Sequence, residues 1–190
     1  MSPSPLRFRP PVFIHEEAVN ELCRLARRGY ETKHKKETFG FLFGSLNEDR
    51  CMVIRHAAYY RGGVKSRSGV FFNDWPAIQR IVARRRELSG RLRLRFLGNF
   101  HSHVEIGGWV LRGLSREDAE SFRHDEAATL EAVVFVWAGP KGSLAPSPRT
   151  IVAYEPDTGY NYRVRVYAKS KSGVRLTRVK VIRSGVVLVY

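Results

Sequence analysis

The chain of 190 residues has little sulfur and no long apolar segment. Its two cysteines, Cys23 and Cys51, are too few for a disulfide framework or a four-thiolate zinc site. No apolar run approaches the roughly 18 residues that a membrane-spanning helix needs. The first eleven residues carry arginines but lack the apolar segment of a signal peptide. These absences predict a soluble, cytoplasmic protein without membrane association.

Acidic residues are also scarce, which makes the chain strongly basic. It has 33 Lys and Arg residues against 18 Asp and Glu, a net charge of +15 and a pI near 10.4. Of these cations 25 are arginines, whose planar guanidinium suits bidentate contacts to carboxylates and phosphates. We therefore expect an anionic partner or surface, whose chemistry the composition leaves open.

Apolar periodicity predicts helices mixed with strands that do not alternate regularly with them. Helices are expected over residues 15–28, from a cap at Asp74 to residue 88, and from a cap at Ser115 to about residue 130. Strands are expected at residues 12–14, 39–46, 52–60, 92–100, 132–137, 150–154, 160–167, 174–182 and 186–190. Turns or loops are expected at residues 47–49 and 61–69. This order favours an α+β sandwich.

The second helix and the strand after it contain most of the clustered arginines. The helix is expected to bury one side, formed by Trp75, Ile78, Ile81 and Val82, and to end at Ser89-Gly90. Its opposite, solvated side would carry Arg84, Arg85 and Arg86. On the next strand, alternation would place three further arginines on one face as contacts for a substrate or an anion: Arg91, Arg93 and Arg95.

A candidate metal site begins with His101-Ser102-His103, at the end of a predicted strand. Residues i and i+2 of a strand share a face, so the two imidazoles would lie side by side. Asp118 lies in the first turn of the next predicted helix and can supply a carboxylate. Two imidazoles and one carboxylate suit Zn²⁺ with an open fourth position.

Each part of this pattern also has an ordinary structural interpretation. Ser115 and Asp118 match a helix capping box, and nearby acids compete as ligands: Glu105, Glu117 and Asp125. Glu37 precedes a strand punctuated by Gly40 and Gly44, and could simply balance neighbouring lysines. The glycines could simply permit close packing of strands.

The order of these motifs along the chain resembles the JAMM or MPN-plus family of zinc metalloproteases, which includes deubiquitinases and their archaeal and bacterial relatives. The resemblance covers residues 12–154. It implies a JAMM/MPN-like, cytidine-deaminase-like α-β sandwich with a central mixed sheet flanked by helices. Residues 1–11 are then a proline-rich lead, and residues 155–190 are a C-terminal β extension packed on or beside the domain.

The resemblance also implies a role for each residue of the pattern. His101, His103 and Asp118 match the ligands of one Zn²⁺ per chain, Glu37 matches the general acid/base, and Ser115 matches the hydroxyl that supports the oxyanion. The implied reaction is hydrolysis of an amide bond at the C-terminal tail of a ubiquitin-like or sulfur-carrier protein, by a zinc-coordinated water that Glu37 activates. Where the family has a proline this chain has Val104, and residues 104–114 form a longer interval before the serine.

A second interpretation keeps the fold without the activity. The chain would then be a catalytically silent basic scaffold or a nucleic-acid-binding module. It would carry no metal, and its affinity for nucleic acid would fall with salt. The sequence has no aromatic–basic motif of the RNA-binding kind to favour nucleic acid over an acidic protein.

Overall fold

The computed structural model describes residues 11–47, 51–65, 70–71, 74–109, 111, 113–142, 145–171, 173–183 and 186–187. These residues form an α+β fold with a large mixed sheet. The helices are α1 (Glu16–Tyr30), α2 (Trp75–Leu92) and α3 (Arg116–His124). The strands are β1 (Val12–His15), β2 (Phe39–Leu46), β3 (Met52–Tyr59), β4 (Val64–Lys65), β5 (Val70–Phe71), β6 (Arg95–Val104), β7 (Leu130–Ala138), β8 (Ile151–Glu155), β9 (Tyr160–Ser170), β10 (Gly173–Leu176), β11 (Val179–Arg183) and β12 (Val186–Val187).

Ten of these strands form one sheet in the order β10-β9-β7-β6-β2-β3-β1-β11-β12, with β8 also paired to β9. The pairs β6–β7, β1–β3 and β1–β11 are parallel and the other pairs in this sheet are antiparallel. Strands β4 and β5 form a separate antiparallel pair. The prediction of an α+β fold with a mixed sheet is therefore confirmed.

The two faces of the sheet are covered by different helices because successive side chains of a strand point to opposite faces. Helix α1 packs with Leu42, Phe100 and Val134 in one cluster. The alternate residues of the same strands pack with the other helices. Phe41 and Phe43 contact α2, and Val133 and Phe135 contact α3. Helices α2 and α3 therefore lie together on the face opposite α1.

Close approach of strand β2 to its neighbours depends on glycine. A side chain at Gly40 would collide with the carbonyl oxygen of Ala58 and the ring of Phe100, and one at Gly44 with the carbonyl oxygen of Val53. The interpretation of these glycines as packing positions is confirmed. They let β2 lie between β3 and β6, which is the arrangement that brings residue 37 toward the histidines.

Helix α2 differs from its prediction at its C-terminal end. It continues through Ser89-Gly90 to Leu92, and Arg93 ends it in a left-handed conformation with φ 52°. Leu88 is buried and Leu92 packs against the same aromatic cluster, so the apolar stripe holds the helix past the glycine. The expectation that Arg91, Arg93 and Arg95 alternate along one strand is wrong: Arg91 is helical, Arg93 is the helix cap, and Arg95 alone lies on β6.

The buried side of α2 also differs from its prediction. Ile81 is buried as expected, but Trp75 is 68% exposed, and Ile78 and Val82 are also exposed. Arg85, expected in solvent, points inward. Its guanidinium lies 4.4 Å from the ring centroid of Phe96 and forms an ion pair with Asp125. The N-terminal cap is confirmed, since Asp74 accepts a hydrogen bond from the Ala77 amide at 2.6 Å.

Three other predicted boundaries are wrong. The strand expected at residues 92–100 is β6, Arg95–Val104, because α2 continues to Leu92. Helix α3 ends at His124 rather than near residue 130, because Asp125 leaves the helical conformation and is held by Arg85. Residues 174–182 form two strands, and the Thr177 amide between them donates to the Val166 carbonyl. Of the predicted loops, residues 48–49 and 66–69 lie outside the described residues, as do residues 1–10 of the lead and 188–190 of the last predicted strand.

The C-terminal segment takes part in the main sheet on both sides. Strand β9 pairs with β7 along nine residues, from Leu130↔Ala168 to Ala138↔Tyr160. Strand β11 pairs in parallel with β1 at the other side of the sheet.

Within the part of the chain that the structure describes, no helix combines the length and the apolarity needed to cross a bilayer.

Candidate metal centre

The two histidines lie side by side on β6, as alternation predicts. The Nε2 atoms of His101 and His103 are 3.1 Å apart, and their ring centroids are 4.9 Å apart. Ser102 points to the opposite face, where its hydroxyl contacts Thr38. Both histidine side chains are buried. Their nearby ring nitrogens need either a shared proton or a shared cation to offset the repulsion of their lone pairs.

Asp118 completes this group from the first turn of α3. Its Oδ2 lies 3.2 Å from His103 Nε2 and 3.5 Å from His101 Nε2. The same oxygen accepts a hydrogen bond from the Ser115 amide at 3.1 Å, and Ser115 Oγ accepts one from the Asp118 amide at 3.0 Å. The capping box is therefore formed, and it aims the carboxylate at the histidines. The structural interpretation of Ser115 and Asp118 is thus confirmed, and the orientation of the carboxylate is compatible with a metal-ligand role.

The geometry of these three atoms fits a small divalent cation. In a tetrahedral zinc site, ligand bonds of about 2.0–2.1 Å place neighbouring ligand atoms about 3.3 Å apart. The three separations here are 3.1, 3.2 and 3.5 Å. The donor set of two imidazoles and one carboxylate is also one that zinc accepts, with a fourth position left for water or substrate. His101, His103 and Asp118 are thus a candidate metal centre.

The three acids that the sequence offered as alternative ligands to Asp118 do not lie with the two histidines. Glu105 accepts hydrogen bonds from the Tyr30 hydroxyl at 2.7 Å and the Gly108 amide at 3.0 Å. Asp125 binds Arg85, and Glu117 is exposed on α3. Among the described residues, the group that brings three possible ligands within 4.8 Å of one another contains Asp118 and none of these three.

Glu37 is held beside the candidate metal centre by the residue that follows it. The Thr38 amide donates to Ser102 Oγ at 2.8 Å, and the Ser102 amide donates to the Thr38 carbonyl at 2.9 Å. Phe39 pairs with His101, so Glu37, two residues earlier, shares the face of the histidines. Glu37 is only 6% exposed, and burial raises its pKa to about 8. A buried carboxyl group with this pKa can exchange a proton near neutral pH.

A further acid, Glu131, belongs to this site and was missed in the sequence. It lies on β7 with its Oε1 2.7 Å from His101 Nδ1. It is 5% exposed, and burial raises its pKa above the ordinary value, although its bond to His101 opposes that shift. The available signal was a single carboxylate in the otherwise apolar run Leu130–Ala138. Such an acid needs a buried partner because an isolated buried charge is costly.

The charges around the histidines favour a cation at this position. Burial alone would lower the pKa of His101, but its contacts with Asp118 and Glu131 outweigh burial and raise that pKa to about 10. Burial lowers the pKa of His103. The pKa of Asp118 lies well below its usual range because its bonds to both histidines outweigh burial. Two carboxylates around one imidazole thus stabilise positive charge, whether it is a proton or a metal ion.

The centre opens into a cavity of about 810 Å³ between α2 and α3. Glu37, His101, Asp118 and Glu131 all line it. The α2 side is formed by exposed apolar side chains: Trp75, Ile78 and Val82. The arginine that lines the cavity is Arg85, which already binds Asp125. The assignment of Arg91, Arg93 and Arg95 as substrate or anion contacts therefore stays a prediction.

No protein-family model matches this chain, and no curated protein matches it.

Glu131→Gln is expected to weaken zinc binding by about 10–100-fold, the usual effect of removing an outer-shell carboxylate. Glutamine can still contact His101 Nδ1, but it removes the negative charge that orients and polarises the imidazole. The measurement is competition with a chromophoric zinc chelator. Glu155→Gln is a suitable control, because Glu155 accepts a hydrogen bond from the Tyr162 hydroxyl on the same sheet. Equal zinc affinities for wild type and Glu131→Gln would contradict a positioning role.

Proposed function

We propose that this protein is a zinc-dependent peptidase or isopeptidase of the JAMM/MPN-plus type. It hydrolyses an amide bond at the C-terminal tail of a ubiquitin-like or sulfur-carrier protein. The observation that carries the proposal is the convergence of His101, His103 and Asp118 at 3.1–3.5 Å, with buried Glu37 lining the same cavity. The order Glu, His-x-His, Ser-x-x-Asp along the chain supports the same assignment.

The metal would be held by Nε2 of both histidines and Oδ2 of Asp118. When bound, zinc acts as a Lewis acid toward a carbonyl oxygen and lowers the pKa of a coordinated water toward neutrality. Glu131 fixes the ring of His101 through Nδ1 and leaves its Nε2 directed at the centre. The hydrogen bond between the Ser115 amide and Asp118 fixes the carboxylate in the same way.

Glu37 is the proposed proton carrier. Its carboxylate takes a proton from the attacking water and gives it to the leaving amine nitrogen. Burial raises the pKa of Glu37 to about 8, and positive charge at His101 opposes that shift. A cation bound at the neighbouring ligands would also oppose the effect of burial and lower the pKa of Glu37 toward neutrality. In that range the group can act first as a base and then as an acid at pH 7. No cysteine or serine nucleophile is needed.

Ser115 is the proposed donor to the oxygen that gains negative charge during attack. Its Oγ already accepts a hydrogen bond from the Asp118 amide at 3.0 Å. A hydroxyl has one donor proton and two acceptor positions, so this bond leaves the proton for another partner. The role of Ser115 at the oxyanion rests on the family resemblance, whereas its role as a helix cap is observed directly.

The proposed substrate class agrees with the walls of the cavity and with the charge of the chain. The apolar side chains of α2 offer contact surface for a protein segment that leads into the centre. The net charge of +15 would speed the encounter with an acidic carrier protein.

The first test is the metal content of tag-free protein purified without chelator, measured by elemental mass spectrometry. We expect about one zinc per chain, as for a three-ligand catalytic site. The protein should then cleave amide-linked tails of ubiquitin-like proteins, lose this activity with a chelator and regain it with zinc. Protein that takes up no zinc even after it is added back would overturn the proposal.

A further inference from the structure

We propose that the C-terminal end of α2 and its connection to β6 bind the phosphate backbone of a nucleic acid. The binding surface is formed by four arginines, called the arginine cluster below: Arg86, Arg91, Arg93 and Arg95. This inference goes beyond the proposed hydrolase activity because the cluster requires neither the metal centre nor the cavity.

The arginine cluster consists of those arginines in this region of the chain that do not pair with a carboxylate among the described residues. Between residues 76 and 98 the sequence contains seven arginines and a single acid, Glu87. Three of the seven face a carboxylate: Arg80 faces Asp74, Arg84 faces Glu87 and Arg85 faces Asp125. The other four are exposed, and none forms an ion pair with an acid in the part of the chain that the structure describes.

Neighbouring leucines fix the outward direction of the arginine cluster. Leu88 is fully buried, and Leu92 and Leu94 pack against the same core of Phe41 and Phe43. Leu92 and Leu94 alternate with Arg91, Arg93 and Arg95, and Leu88 lies two positions after Arg86. With the leucines turned inward, all four arginines are exposed to solvent. Cations at this position are also stabilised by the partial negative charge of the helix C-terminus.

The size of the cluster fits a run of phosphates. Arg86 and Arg91 are separated by about 7.5 Å along the helix axis at 1.5 Å per residue. Arg93, in the left-handed cap, and Arg95, at the start of β6, are two residues apart, so their Cα atoms are at most about 7 Å apart. Within each segment, neighbouring arginines are therefore separated by about two phosphate steps of one strand at about 3.4 Å per step. Guanidinium groups suit bidentate contacts to phosphate oxygens.

The composition around the cluster favours nucleic acid over an acidic protein. Protein interfaces have an apolar core with few charged residues. The exposed positions between the arginines are instead Glu87 and Gly90, while the leucines are turned inward. The exposed apolar side chains of α2 lie in its other half, beginning at Trp75, where they line the cavity. The cluster is thus a charged surface without an apolar centre.

The test compares wild type with a variant in which all four arginines of the cluster are replaced by glutamine. The matched control replaces four exposed cations elsewhere by glutamine and has the same net charge: Arg61, Arg123, Arg149 and Lys171. The probes are a fluorescent DNA duplex of about 20 base pairs and a single-stranded RNA of the same length, titrated between about 50 and 200 mM salt. Poly-glutamate and phosphatidylserine vesicles serve as other anionic partners. Zinc content and thermal unfolding are recorded for each variant.

We expect wild type to bind a nucleic acid with an affinity that falls steeply with salt. The cluster variant should bind at least about tenfold more weakly, with a slope of log affinity against log salt reduced by about 3. The control should change that slope by less than about 1, and both variants should keep their zinc. Equal losses in the two variants, tighter binding to poly-glutamate or vesicles, or no binding by wild type would overturn the inference. Because zinc content is measured on the same variants, failure of this inference can be distinguished from failure of the hydrolase proposal.

Discussion

Replacing Glu37 by glutamine is expected to slow amide hydrolysis by about 10²–10⁴-fold, the usual contribution of a general acid or base. The zinc content of the variant should stay near that of wild type, because the proposed ligands are His101, His103 and Asp118. Glutamine matches the shape of glutamate but cannot take up and release a proton. The position is only 6% exposed, and the neutral amide avoids the cost of burying a charge there, so folding should be preserved.

The measurement pairs steady-state hydrolysis of a cleavable tail with zinc content on the same protein sample. Glu117→Gln is the matched control, because Glu117 is an exposed acid of the same α3 turn as Asp118. It should retain nearly full activity. If Glu37→Gln also turned over near the wild-type rate, Glu37 would have no place in the mechanism.

The second large effect is expected at Asp118. Its replacement by alanine should weaken zinc binding by more than about 100-fold, beyond the effect of losing an outer-shell carboxylate. The loss of its capping-box hydrogen bond with the Ser115 amide should reduce the free energy of unfolding by about 1 kcal/mol. In metal-free protein, the loss of a carboxylate beside the two buried histidines should reduce it further. Metal affinity from chelator competition and stability from denaturant unfolding, the latter on metal-free protein, report the two effects separately.

Two further variants separate metal binding from helix capping at this residue. Asp118→Asn keeps an oxygen that can accept the hydrogen bond from the Ser115 amide, but it loses the charge that a metal ligand needs. It should therefore lose zinc, and its metal-free stability should fall less than that of Asp118→Ala because the bond with the Ser115 amide is kept. Ser115→Ala removes the other half of the capping box and should lose stability while it retains zinc. If Asp118→Ala bound zinc normally, Asp118 would be a cap alone.

Local features of the site could be predicted because they depend on short-range geometry. Alternation along a strand places His101 and His103 on one face whatever the strand pairs with. The Ser-x-x-Asp spacing forms a capping box at the start of any helix. Helix α1 followed its apolar spacing closely, since it is observed at Glu16–Tyr30.

Predictions that required a tertiary partner were less successful. Arg85 was expected in solvent because its neighbours are arginines, but Phe96 and Asp125 make an inward position favourable. Gly90 was expected to end α2, but the packing of Leu88 and Leu92 outweighs the modest cost of one glycine in a helix. As a result the three arginines predicted on one strand are divided among a helix, its cap and a strand.

The sequence by itself determined the composition of the candidate centre: which imidazoles share a face, which carboxylate begins a helix, and how basic the chain is. Only the tertiary structure decided that these groups converge. The β2–β6 pairing carries Glu37 to the histidines through Thr38 and Ser102, and the β6–β7 pairing carries in Glu131. The physical reason is that strand alternation and helix capping act within a few residues, whereas strand pairing brings together residues far apart in the chain, such as Thr38 and Ser102, which are 64 residues apart.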